Sequence, residues 1–205
     1  MKVSAAVISL KRFVVKDKGL LWAFVAIFAG IISGSLLYAL ILHSGNNGIF
    51  QLFITFNIDF INKSELEIFS GITLNVLLYF MALFISGCCF NGKPLCVFIT
   101  FIKMLGIGAT VTYLYAQYEL KGLEYVLLVF FPGKILLLFS SMLMTKSCFE
   151  MSSLVKNGIS EKGSGASVIK LYYLKSLIYM LVFMLSAATD YIAIKIFSGL
   201  FDFDL

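Results

Sequence analysis

The sequence predicts an all-α fold, a polytopic membrane helix bundle of five transmembrane helices with an N-terminal amphipathic helix at the membrane surface. Three observations predict it. Of the 205 residues, 60% are hydrophobic and only 13% charged, where ordinary soluble domains carry about 25% charged residues. Mean hydropathy is +0.99. Three long apolar runs, about 68–90, 95–116 and 123–144, follow one another across connectors as short as Asn91-Gly92-Lys93-Pro94 and Tyr118-Glu119-Leu120-Lys121-Gly122. A helix needs about 20 apolar residues to cross the ~30 Å hydrocarbon layer, and connectors this short force adjacent antiparallel spans.

Taken in order, residues 1–18 form the first unit and 19–205 the membrane domain. Val3, Ala6, Val7, Leu10, Phe13 and Val14 recur at helical spacing, with Lys2, Lys11, Arg12, Lys16 and Lys18 supplying charge. Such a helix lies in the headgroup region and is drawn to anionic lipids. The apolar run that follows, about 20–42, is too long for a secretory signal peptide and reads as the first span. Within it Gly30 and Gly34 form a G-x-x-x-G pattern, extended backwards by Ala26, whose small residues let another helix approach. That contact is either inside the bundle or with another subunit.

Residues 44–67 connect the first two spans. Phe53 to Ile61 is apolar, with Thr55, Asn57 and Asp59 alternating, and is too short and polar to span; it reads as an interfacial lid or a docking surface. In the third span Gly106, Ala109 and Thr110 share a narrow face suited to helix packing. Thr145 to Glu150 extends the fourth helix past the bilayer, and Glu161 to Ser167 is flexible by composition. The last run, about 171–198, exceeds one crossing and must tilt, or begin with an interfacial turn carrying Tyr172 and Tyr173.

Basic residues fix the orientation. One side of the membrane collects Lys2, Lys11, Arg12, Lys16, Lys18, Lys93, Lys146, Lys156, Lys162 and Lys170, and the other only Lys63 and Lys121. The positive-inside rule then places the N-terminus in the cytoplasm and the C-terminus outside the bacterial cytoplasmic membrane. Because the net charge of +5 resides in loops, with no interleaved aromatics, nucleic acid is not an expected partner; membrane lipids are. Cys88, Cys89, Cys96 and Cys148 fall near the cytoplasmic side, where thiols stay reduced, and lack C-x-x-C spacing. A single histidine and the absence of a G-x-x-x-x-G-K-[ST] run leave no metal, nucleotide or other cofactor expected.

Charged and polar groups inside spans are costly and mark candidate sites. They are Asn75, Lys103, Lys134 and Asp190, with Pro132 beside Lys134. Depth at about 1.5 Å per residue puts Lys103 and Lys134 near the middle of the bilayer, whereas Lys175 and Lys195 reach its surfaces by snorkelling. Pro132 lacks an N–H and predicts a kink. Lys134 then either donates to the carbonyls freed there, pairs with Asp190, or joins Lys103 in an anion-attracting spot.

These residues also carry a pattern. Spaced small residues in the first span are followed by Asn75, Ser86-Gly87, Pro94, Phe101-Ile102-Lys103, Gly106 with Gly108, Lys121-Gly122-Leu123 and Phe131-Pro132. The chain resembles the stage II sporulation protein M family, best over about 68–150. It departs at Met104, where the family usually has glycine, and in lacking the acidic residue often found after the fourth-span proline. The resemblance implies a five-span protein without catalytic residues, a platform that works with septal peptidoglycan hydrolases during engulfment. Extracytoplasmic or membrane-anchored cell-wall hydrolases are then the expected partners. The alternative is a small transporter, channel or exporter permease subunit in which Lys103, Lys134 and Asp190 line a cavity and the chain forms a homo-oligomer. An embedded enzyme would need Asp, His, Ser or Glu at matched depth, and the one histidine, His43, sits at a span end.

Overall fold

The computed structural model describes residues 18–44, 64–156 and 164–197. Of the amphipathic helix expected over 2–18 only Lys18 is described; residues 45–63, most of the expected connector 44–67, and residues 157–163 and 198–205 also lie outside the described residues. Every described element is helical: α1 (Lys18–Ser44), α2 (Glu65–Cys88), α3 (Gly92–Tyr125), a π-helical turn (Val126–Phe130), α4 (Phe131–Lys156) and α5 (Ser164–Phe197). Four helical stretches are long and apolar enough to cross a membrane: Lys18–Leu40, Glu65–Cys88, Gly92–Lys156 and Ile169–Phe197.

The 65-residue stretch Gly92–Lys156 is not straight. Glu119 has φ 51° and ψ −123°, and there the chain reverses. A side chain at Gly122 would run into the Leu114 carbonyl, and Thr100 Oγ1 meets Thr145 Oγ1 at 3.3 Å. The arms 92–118 and 120–156 therefore lie antiparallel. The connector expected over Tyr118–Gly122 contracts to one residue because a single positive φ suffices to turn the backbone, and Gly122 lets the arms touch at once.

Local chemistry explains the other boundaries. α2 begins at Glu65, three residues before the expected span, because Ser64 and Glu67 form a capping box: Ser64 Oγ accepts from Glu67 N at 3.4 Å, and Glu67 Oε2 accepts from Ser64 N at 3.0 Å. The α2–α3 connection is a tight turn closed by Gly92 N–H on the Cys89 carbonyl at 3.1 Å. Pro94 follows in the first turn of α3, where a missing N–H costs nothing. α4 runs on to Lys156. Of the stretch Glu161 to Ser167, expected to be flexible, residues 164–167 join α5.

The helices pack up and down. α1 lies parallel to the 92–118 arm and also touches α4, while α2, α4 and α5 pack mutually. Leu83, Met104, Leu137 and Phe183 are fully buried, and the Phe183 ring meets Tyr79 and Phe80 at 5.7 and 5.6 Å. The outer surface is apolar as well: Trp22, Phe28, Leu40, Leu78, Phe98, Phe139 and Leu181 are all exposed. A water-facing surface does not carry large apolar side chains on every helix; the pattern is that of a membrane protein.

Candidate functional site

Halfway along the bundle, α2 to α5 each contribute polar groups to one buried layer. Lys134 Nζ donates to Asp190 Oδ2 at 2.6 Å, and the two side chains are 14% and 6% exposed. Lys103 Nζ donates to Asn75 Oδ1 at 2.7 Å. Below them Tyr79, Thr100 and Thr145 form a hydroxyl chain, Tyr79 Oη to Thr100 at 3.5 Å and Thr100 to Thr145 at 3.3 Å. Thr100 also donates back to the Cys96 carbonyl at 2.8 Å. Each of these four helices is thus held to at least one neighbour by a hydrogen bond.

Pro132 positions the ion pair. A proline in a regular helix would clash with the carbonyl four residues earlier. Here the preceding turn widens into the π segment Val126–Phe130, and Phe131 N–H reaches the Val126 carbonyl instead. Gly133 then faces α5 bare. A side chain there would occupy the space of Asp190 Oδ1, and Ser186 Oγ donates to the Gly133 carbonyl at 2.8 Å. Lys134, one residue on, reaches Asp190 while its ammonium lies 4.8 Å from the Phe130 ring centre. The ion pair is among the arrangements the sequence leaves open for Lys134.

Lys103 lies within electrostatic reach of both Lys134 and Asp190, so two lysines stand near one carboxylate. Asp190 Oδ1 is buried and has no hydrogen-bond partner among the described residues. The arrangement acts as a clamp between helices. No group of three metal-ligating side chains occurs among the described residues.

The small residues sit elsewhere, on the α1–α3 seam. Gly30 lies against Met104 and the Phe101 carbonyl, Gly34 against the Leu105 backbone, and Gly108 against the Ile31 carbonyl. Ser35 Oγ donates to the Gly108 carbonyl at 3.3 Å. Gly106 and Ala109 are buried in the same helix. The spacing of small residues points to Gly106 and Ala109; Gly108, whose backbone meets α1, belongs to the same glycine pair, and only its azimuth on the helix was hidden.

Two features carry no strong sequence signal. Asn75 and Lys103 are linked only by equal depth in antiparallel spans. At the Cys88 end of the bundle, Tyr172 Oη donates to the Phe84 carbonyl at 2.9 Å and Cys148 Sγ to the Leu83 carbonyl at 3.1 Å, which makes Cys148 a packing residue. Cys96 is buried too, whereas Cys88 is exposed. Two surface lysines are paired at the helix ends, Lys175 with Glu150 at 3.4 Å and Lys195 with Glu65 at 3.0 Å. Comparison of the chain with protein-family models, curated proteins and solved structures returned no match.

Proposed function

We propose that this chain is a non-enzymatic scaffold of the bacterial cytoplasmic membrane, crossing it five times with the N-terminus in the cytoplasm and the C-terminus outside. In this reading the arms 92–118 and 120–156 each make a crossing, since even the shorter is about 40 Å long at 1.5 Å per residue. The observation that carries the scaffold is the internal pairing of the intramembrane charges. Lys134 is bonded to Asp190 and Lys103 to Asn75, so these groups hold helices to one another, which is what a rigid platform requires. The resemblance to the stage II sporulation protein M family supplies the partners: septal peptidoglycan hydrolases, extracytoplasmic or membrane-anchored, at the face formed by the connector 44–67 and the outer helix ends.

Purification of the tagged protein in mild detergent from its native host, at several growth stages, tests this. Recovery of cell-wall hydrolases, chiefly during sporulation, is the expected result. Recovery at all stages of an ATPase, or of the chain alone, overturns it. A second reading, a small transporter or exporter subunit, is favoured by the buried Asp190 Oδ1 with no hydrogen-bond partner among the described residues, close to both Lys134 and Lys103. It requires Lys103→Met to abolish transport while leaving the fold intact.

A further inference from the structure

A groove of about 540 Å³ runs between the first halves of α1 and α3, lined by Trp22, Ala26, Ala29, Pro94, Phe98 and Phe101, with Lys93 at one end. Trp22 and Phe98 are 50% and 58% exposed, so the groove opens on the outer surface of the bundle. Lys93 is its one charged lining residue, and it makes no ion pair among the described residues. The register set by Gly30 against Met104 and Ser35 against Gly108 brings exposed Lys18 to the level of Gly92 and Lys93. Lys18 also lies one helical turn before Trp22, on the same face. The first turn of α3 has no side-chain cap, so its dipole adds to the positive end.

Geometry and charge together select an occupant. From Lys93 to Phe101 the groove is about 12 Å long at 1.5 Å per residue, most of the ~15 Å that one leaflet contributes to a ~30 Å hydrocarbon core. Water has no polar partners in such a crevice. An acyl chain from the surrounding leaflet does fit, and basic pockets at the cytoplasmic ends of spans attract anionic headgroups. We propose that the groove is a site for one anionic glycerophospholipid of the bilayer, an acyl chain lying along Trp22, Ala29 and Phe101 and the phosphate held by Lys93, with Lys18 at the rim. This inference rests on the membrane topology proposed above, and not on the hydrolase partners.

Trp22 is the only tryptophan of the chain and reports on the groove directly. The full-length protein is reconstituted in phosphatidylcholine vesicles doped with a small fraction of brominated lipid, either phosphatidylglycerol or phosphatidylcholine. The expected result is local enrichment, read as Trp22 quenching, about fivefold greater for the anionic lipid, as one well-placed lysine provides. Lys93→Gln removes the preference, Lys93→Arg keeps it, and Ala29→Phe, which fills the groove, lowers quenching by both lipids. Equal quenching by the two lipids in the unsubstituted protein overturns the proposal, as does a preference that survives Lys93→Gln. Failure of either lipid to quench also overturns it, because a protein segment or a second copy then covers the groove. Headgroup preference in symmetric vesicles does not depend on orientation, so a wrong topology leaves this result unchanged and is detected separately by thiol labelling of Cys88.

Discussion

Asp190 shows how much a single side chain organises. One carboxylate oxygen accepts from Lys134, the other lies against Gly133, where an added side chain would take its space, and one turn earlier Ser186 ties the same glycine's carbonyl to α5. Removing one partner of a buried ion pair leaves the other charge uncompensated, at a cost of about 3–5 kcal/mol. Asp190→Asn is therefore expected to lower unfolding stability in detergent by about that amount, measured by thermal or denaturant unfolding. The double substitution Lys134→Met with Asp190→Leu is expected to recover most of the loss, because neither charge is then stranded. A double variant no more stable than Asp190→Asn would show that the pair is not what holds α4 to α5. The participants were legible in the sequence because charges in apolar runs stand out. The Lys134–Asp190 pair was one of the readings the sequence left open, and the choice among them depends on how α4 and α5 rotate about their axes.

At the scale of elements, the structure departs from the sequence-based expectation where backbone geometry intervenes. Pro132 announces a break, and the break takes the form of a π turn, because one inserted residue moves the offending carbonyl away without opening the helix. The turn between the arms of Gly92–Lys156 places a non-glycine residue at φ 51° and ψ −123°, a backbone conformation costing about 1–3 kcal/mol outside glycine. Glu119→Gly is expected to raise stability by about 1 kcal/mol, the relief of strain exceeding the added freedom of the unfolded chain. Glu119→Val is expected to lower it. Unfolding midpoints of the two variants check this, and a Glu119→Gly protein no more stable than the parent would mean that the turn relaxes by another route. The α1–α3 seam shows the complementary case. The small residues were visible in the sequence, whereas the fact that α1 meets α3 lengthwise and parallel was not.

Across the whole molecule, charge is sorted by end. Lys18, Lys93, Lys146, Lys156, Lys170 and Lys175, with Glu150, occupy the end where α2 turns into α3, and Glu65, Glu67, Glu119 and Glu124, with Lys121 and Lys195, the other. In the orientation proposed above, which puts the basic end in the cytoplasm, exposed Cys88 would face inward. A membrane-impermeant maleimide is therefore expected to leave Cys88 unlabelled in intact cells and to label it after permeabilisation, read by mass spectrometry. Labelling in intact cells would invert the orientation and remove the basis for extracytoplasmic partners at the opposite end.

The sequence by itself determined the helical class, the approximate positions of the apolar stretches and the identity of the costly intramembrane groups. Hydropathy and helical length are properties of contiguous residues, and a charge in an apolar run is visible wherever its helix points. Only the tertiary structure decided that Lys134 meets Asp190, that Lys103 meets Asn75, that Gly108 admits α1, and that Trp22 and Lys93 border one groove. Each of those depends on helix rotation and register between segments far apart in the chain, which are set by the summed packing of all the faces at once.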